Sequence, residues 1–149
     1  MKIYLGADHG GYKLKEEVKE WLKEWHFDFE DMGAVNYTPE DDYPDYAWPV
    51  GVRVGVEQGA FGILACRSGQ GEAIVANKAK GARAALAWNE KTAFAARNDD
   101  DVNILCLPAD YVTVDAAKKI VHTFLTTPFA KEERFTRRIH KIAKIDINL

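Results

Sequence analysis

The stretch Phe61-Gly-Ile-Leu-Ala-Cys66-Arg-Ser-Gly-Gln-Gly71-Glu-Ala-Ile-Val-Ala-Asn-Lys78 narrows the possible folds more than any other part of this chain. Phe61 to Ala65 is a short apolar run with the length of a buried strand. Cys66 follows, then glycines at 69 and 71, then an apolar-periodic segment that predicts a helix. Glycines at such a turn let the backbone approach a ligand with free N–H groups aimed at it. Cys66 at the strand's end and Glu72 in the helix's first turn then face one cradle, suited to an anionic ligand or a reaction's oxyanion. The same residues equally describe a tight βα turn around a buried structural cysteine.

The rest of the chain repeats this alternation. Lys2 to Ala7 predicts a strand ending at Asp8-His9-Gly10-Gly11, and Tyr12, Leu14, Val18, Trp21, Leu22 and Trp25 share one face of the helix after it. His26 to Glu30 alternates as a second strand, and Gly33 to Asp45 is a turn-rich loop long enough to be functional. Tyr46 to Val56 predicts a helix, Gly81 to Ala87 a strand, and Glu90 to Arg97 a helix capped by Asn89. Asp99-Asp100-Asp101 is read as a polar turn into a strand ending at Leu107. A helix from Thr113 or Asp115 to Leu125 and a basic helix from Lys131 to Lys144 complete the pattern. Strands alternating with helices predict a three-layer, Rossmann-like α/β fold: a five-stranded parallel sheet, helices on both faces and a C-terminal helix. Ligands of such sheets sit beyond the strands' carboxyl ends, which here carry Asp8, His9, Cys66 to Glu72, Trp88, Asn89 and Pro108 to Asp110.

The length of 149 residues fits one domain, 1–149, with a full-sized core. A net charge of −3 offers no basic footprint for nucleic acid, and no apolar run reaches membrane-spanning length. Met1 leads directly into a strand pattern with no signal-peptide character. Two cysteines, Cys66 and Cys106, lack metal-ligand spacing and a disulfide framework, so a reduced, cytoplasmic setting is expected.

Five motifs then occur in order: Asp8-His-Gly-Gly-Tyr12, Asp42-Tyr-Pro-Asp-Tyr-Ala47, Gly69-x-Gly71, Ala76-Asn-Lys78 and Arg83-Ala-Ala85. Together they resemble the ribose-5-phosphate isomerase B family, which also holds the galactose-6-phosphate isomerase subunits, from Lys2 to about Lys141. The resemblance implies a homodimer or dimer of dimers with active sites at the subunit interface. It implies interconversion of an aldose phosphate and a ketose phosphate through an enediolate, without metal or other cofactor. Cys66 occupies the position of the family's cysteine base, and Glu72 that of a glutamate base in members lacking the cysteine; this chain carries both. A thiolate serves as base if a helix N-terminus or N–H nest lowers its pKa. The N–H groups of Arg67, Ser68, Gly69, Gln70 and Gly71 would hold the enediolate oxygen, joined by the Ser68 hydroxyl. Asp8 and His9 would bind sugar hydroxyls or move the ring-opening proton, and Tyr43 would wall the pocket. Arg134 and Arg138, at i and i+4 on one helical face, match the family's phosphate-binding arginines.

The departures are as specific. Asp99 and Asp100 stand where the family usually has His-Asn, the histidine being assigned to ring opening; Asp99 could act as a base there but not as a cation. Asp110 replaces a frequent phosphate-binding arginine, and Arg67 replaces a glycine, either restoring that charge or narrowing the pocket. These changes open the expectation of a substrate other than ribose 5-phosphate, such as a tetrose phosphate that needs no ring opening. A non-catalytic sugar-phosphate-binding subunit of a hetero-oligomer is the alternative. A nucleotide or flavin module is disfavoured, because Asp8-His-Gly-Gly lacks the dinucleotide fingerprint.

Overall fold

In the computed structural model, which describes residues 1–147, three apolar segments form the centre of one parallel sheet. They are β1 (Lys2–Ala7), β3 (Phe61–Cys66) and β5 (Ile104–Pro108), flanked by the shorter β2 (Asp28–Asp31) and β4 (Ala84–Leu86) in the order β2-β1-β3-β5-β4. The central strands are buried on both faces, and their side chains divide with period two. Ile3, Leu5, Ile63, Ala65, Leu105 and Leu107 meet α1 (Tyr12–Glu24), α4 (Glu90–Asp100) and α5 (Val114–Thr126). Tyr4, Leu64, Ile104 and Cys106 meet α2 (Pro44–Val56) and α3 (Gln70–Ala76) on the other face. Cys106 thereby serves as a small core hydrophobe. The strand order reverses between β1 and β3, so the crevice beyond Ala7 and Cys66 is the sheet's switch point.

Several boundaries differ from expectation: β4 is only Ala84–Leu86 within the expected Gly81–Ala87, the last helix is shifted toward the C-terminus, and three others have local causes. The edge strand β2 begins at Asp28 rather than His26, whose φ of 61° belongs to a turn. Helix α2 starts at Pro44, a residue whose fixed φ suits a first helical turn. Helix α4 runs on through Asp100, where a polar turn was expected from Asp99. Acidic residues oppose a helix C-terminus, but here Arg97 reaches Asp101 at 2.8 Å and the Val102 carbonyl at 2.7 Å. Asp101 caps the helix in the left-handed conformation, with Arg83 on its other oxygen.

The last helix, α6 (Glu133–Ile147), is tied at two points to the amino-terminal rim of the strands. The Ala130 N–H donates to the Asn98 carbonyl before it, and the Gly81 N–H donates to Asp146 near its end. Both anchors lie below β4 and β5, at the rim opposite Cys66.

Candidate active site

At the switch point the turn after β1 and the turn after β3 are pressed together. A methyl group at Gly11 would lie 1.8 Å from the Ala65 carbonyl oxygen, so only glycine permits this approach. Asp8 closes the first turn on itself, its Oδ1 accepting the N–H groups of Gly10 (2.9 Å) and Gly11 (3.2 Å). In the second turn Gly69, at φ 74°, swings its N–H onto Cys66 Sγ at 3.1 Å. The Glu72 N–H acts on the same sulfur, so the thiol sits in the expected nest.

The nest does not set the thiol's titration. Burial first, and the charge of Glu72 second, push Cys66 up to about 11 against the two N–H groups. The condition for a resting thiolate, a nest that lowers its pKa, is therefore not met, and Cys66 rests as a thiol. Glu72 departs further from expectation, because a first-turn glutamate ordinarily faces water, whereas this one is fully buried. Neither carboxyl oxygen has a hydrogen-bond partner among the described residues. Burial, then the charge of Asp8, push Glu72 well above the carboxylate range, and the neighbouring Cys66 pulls only partly back. Asp8 is itself raised, chiefly by burial. The crevice thus concentrates three acidic side chains in a space largely shielded from water.

The loop from 33 to 43 folds over this crevice. Tyr43 lies on Gly71, where a methyl group would fall 2.5 Å from its ring, and Asp41 engages His9. Sequence reasoning passed over Asp41, whose only signal was its place in a loop too long to be a simple connection. Asp8, His9 and Asp41 bring possible metal-ligand atoms within 4.8 Å of one another, though Nδ1 of His9 is already turned to a carboxylate oxygen. Arg67 pairs with Asp110 at 2.9 Å across the mouth, so each of the two exchanged charges neutralises the other. Ser68 and Gln70 border a hollow of about 280 Å³ with Leu86, Trp88, Pro108 and Tyr111.

Four expected residues stand elsewhere. Asp99 and Asp100 end α4, and Arg134 and Arg138 lie on α6, all toward the amino-terminal rim. A strand of five or six residues separates the two rims by roughly 17–20 Å. Asp99 accepts from the Asn98 side chain, Arg134 pairs with Glu132, and Arg138 is exposed.

Fold and site together define a doubly wound α/β domain with titratable groups buried at its switch point. Residues 3–142 match the family model described as Ribose/Galactose Isomerase. The ribose-5-phosphate isomerase B of Mycobacterium tuberculosis is 41% identical over 146 residues, 98% of this chain and 90% of that protein. The probable ribose-5-phosphate isomerase B of Mycoplasma genitalium is 41% identical over 97% of this chain and 95% of its own. Among solved structures, that of ribose-5-phosphate isomerase B from M. genitalium with bound ribulose-5-phosphate superposes with a TM-score of 0.95. Its identity is 40%, covering 99% of this chain and 97% of the other. The type B ribose 5-phosphate isomerase of Trypanosoma cruzi gives 0.94 at 37% identity over the whole of both chains. This chain belongs to the Ribose/Galactose Isomerase family, and is an enzyme of the aldose–ketose isomerase type.

Proposed function

We propose that this protein interconverts ribose 5-phosphate and ribulose 5-phosphate through an enediolate, using its own side chains as acids and bases. The observation that carries this reading is the burial of Cys66 and Glu72 side by side beneath a row of backbone N–H groups. Isomerisation needs one group to lift a proton from the carbon beside the carbonyl and return it to the next carbon. Cys66 is the proposed base in its thiolate form, which it reaches by losing the thiol proton to solvent before the sugar's C–H bond is broken. Glu72, protonated in the resting site, removes its own charge from the sulfur's surroundings and stands ready to exchange that proton. The N–H groups from Arg67 to Gly71, with Ser68, stabilise the enediolate oxygen, while His9 and Tyr43 hold the sugar.

The phosphate and the far end of the sugar call for further cations, since Arg67 is matched by Asp110. Arg134 and Arg138, with Asp99 and Asp100, line the opposite rim. A homodimer, or a dimer of dimers, that apposes the two rims would complete each site with the neighbour's residues. The reaction would take place in the cytoplasm; among the described residues no helix is long and apolar enough to cross a membrane.

The direct test is proton NMR in deuterated water with ribose 5-phosphate and ribulose 5-phosphate, using wild type, Cys66→Ala and Glu72→Gln. Deuterium at the carbon beside the carbonyl, lost in Cys66→Ala and only slowed in Glu72→Gln, supports the assignment. The reverse pattern makes Glu72 the base. No exchange with either sugar, in a protein that binds them, favours the non-catalytic binding subunit.

A further inference from the structure

Asp41 makes a contact that the reading above leaves unused. Its Oδ1 accepts from His9 twice, from the backbone N–H at 2.7 Å and from ring Nδ1 at 2.8 Å. Its side chain is only 7% exposed. Burial works to raise this carboxyl, but the His9 N–H, the His9 ring and Tyr46 outweigh it and hold Asp41 below the usual carboxylate range. An ionised carboxylate only accepts, so Nδ1 carries the proton. Nε2 is then the one ring nitrogen open to a ligand, and it has no partner among the described residues. Hydrogen bonding to Asp41, then the charge of Asp8, raise His9, so the imidazolium is favoured where an unpaired histidine would be losing its proton.

The place of this pair matters. It stands at the end of β1 beside Asp8, on the same rim as Cys66. The chain has no histidine at position 99, and the carboxylate there cannot donate as a cation. Asp41 also sits in the loop that carries Tyr43 onto Gly71, so one segment shapes the pocket and orients the ring.

We propose that Asp41 is a positioning residue that fixes His9 with Nε2 as the proton donor for opening a furanose substrate, so that a cyclic pentose phosphate can be used despite Asp99. His9 Nε2–H passes its proton to the ring oxygen as the bond from that oxygen to the anomeric carbon breaks. The anomeric O–H becomes the carbonyl, and its proton goes to the Asp8 carboxylate. No electrons are gained or lost, and solvent returns Asp8 and His9 to their starting states. This inference rests on the isomerase reading.

Ribulose 5-phosphate separates the two. With its terminal hydroxyl phosphorylated it remains open-chain, so exchange of its C1 hydrogen tests enolisation without ring opening. The experiment compares wild type, Asp41→Asn and His9→Gln by forward turnover of ribose 5-phosphate and by C1 deuterium exchange of ribulose 5-phosphate. Forward turnover is expected to fall about a hundredfold relative to C1 exchange in both variants, the scale of a lost general acid. ¹⁵N spectra near neutral pH should show the doubly protonated His9 ring in wild type and a shift toward a mixture of neutral tautomers in Asp41→Asn. Equal loss of both reactions, or no loss, overturns the role of Asp41. A wild type that exchanges C1 of ribulose 5-phosphate but cannot use ribose 5-phosphate overturns the inference while leaving the isomerase reading intact. A wild type that does neither removes that reading, and the inference with it.

Discussion

Cys66 and Glu72 cannot both carry charge in so small a buried space, and they titrate as a pair. Each is raised mainly by burial, and the charge of Glu72 adds to the rise at Cys66. A raised acid in the folded state has a definite consequence for stability. Below the ordinary glutamate range Glu72 is neutral in both folded and unfolded chains and adds no pH-dependent cost. As pH rises past about 4.5, the unfolded chain releases this proton while the folded one keeps it, so the folded state loses up to about 1.4 kcal/mol per pH unit. The loss stops once pH passes the folded-state value. Glu72→Gln removes this term. Its melting temperature should match wild type near pH 4 and exceed it increasingly toward neutral pH, as differential scanning calorimetry would register. A constant difference across that range would mean Glu72 is not held protonated by the fold.

At the scale of elements, two glycines with similar steric reports give opposite predictions. At Gly11 the obstacle to a methyl group is the Ala65 carbonyl, part of β3, which cannot yield; Gly11→Ala should lower stability by several kcal/mol or prevent folding. At Gly71 the obstacle is the Tyr43 ring, half-exposed on a loop and able to swing away. Alanine is also the better helix residue by about 1 kcal/mol, so Gly71→Ala should melt no lower than wild type. Its KM for the sugar phosphate should rise several-fold, as should that of Tyr43→Ala; an unchanged KM in both would mean Tyr43 is not a pocket wall. These contrasts mark what was legible beforehand. The apolar runs of β1, β3 and β5 announced the central strands, and the Gly-rich turns announced the rim, because burial on both faces and tight turns leave few residue choices. The extension of α4 to Asp100 was not legible, because besides the local Arg97–Asp101 pair it depends on Arg83 reaching Asp101 from before β4. Nor was the Asp41–His9 pair, which joins residues 32 positions apart through an irregular loop. The burial of Glu72 was hidden for another reason: it stands one turn before the buried Ala76 on the inner face of α3, but a glutamate ordinarily seeks water.

The whole molecule carries its candidate residues on two rims, with Cys66, Glu72, Asp8, His9 and Tyr43 at one end of the sheet and Asp99, Asp100, Arg134 and Arg138 toward the other. One protomer cannot bring these sets together across the length of its own strands. It also leaves Trp48, Val52 and Val56 exposed at i, i+4 and i+8 on the outer face of α2, with Ile74 of α3 exposed on the same side of the sheet. An apolar stripe of this kind on a charged protein is the surface expected to meet a second copy. A two-fold axis would place the cradle of each protomer against the arginines of the other, giving two identical composite sites. Complementation tests this arrangement without needing the interface geometry. Cys66→Ala lacks the proposed base, and Arg134→Ala/Arg138→Ala lacks the proposed phosphate contacts, so each should be nearly inactive alone. If the sites are composite, co-expressed chains form mixed dimers in which one cradle is intact and faces intact arginines. Random pairing makes half the dimers mixed, with one good site in two, so activity should return to about a quarter of wild type. If each chain completed its own site, every site in the mixture would lack either the base or the arginines, and mixing would restore nothing. Recovery toward that quarter, with light scattering confirming mixed dimers of native mass, would establish that the neighbouring chain supplies the phosphate end of the site.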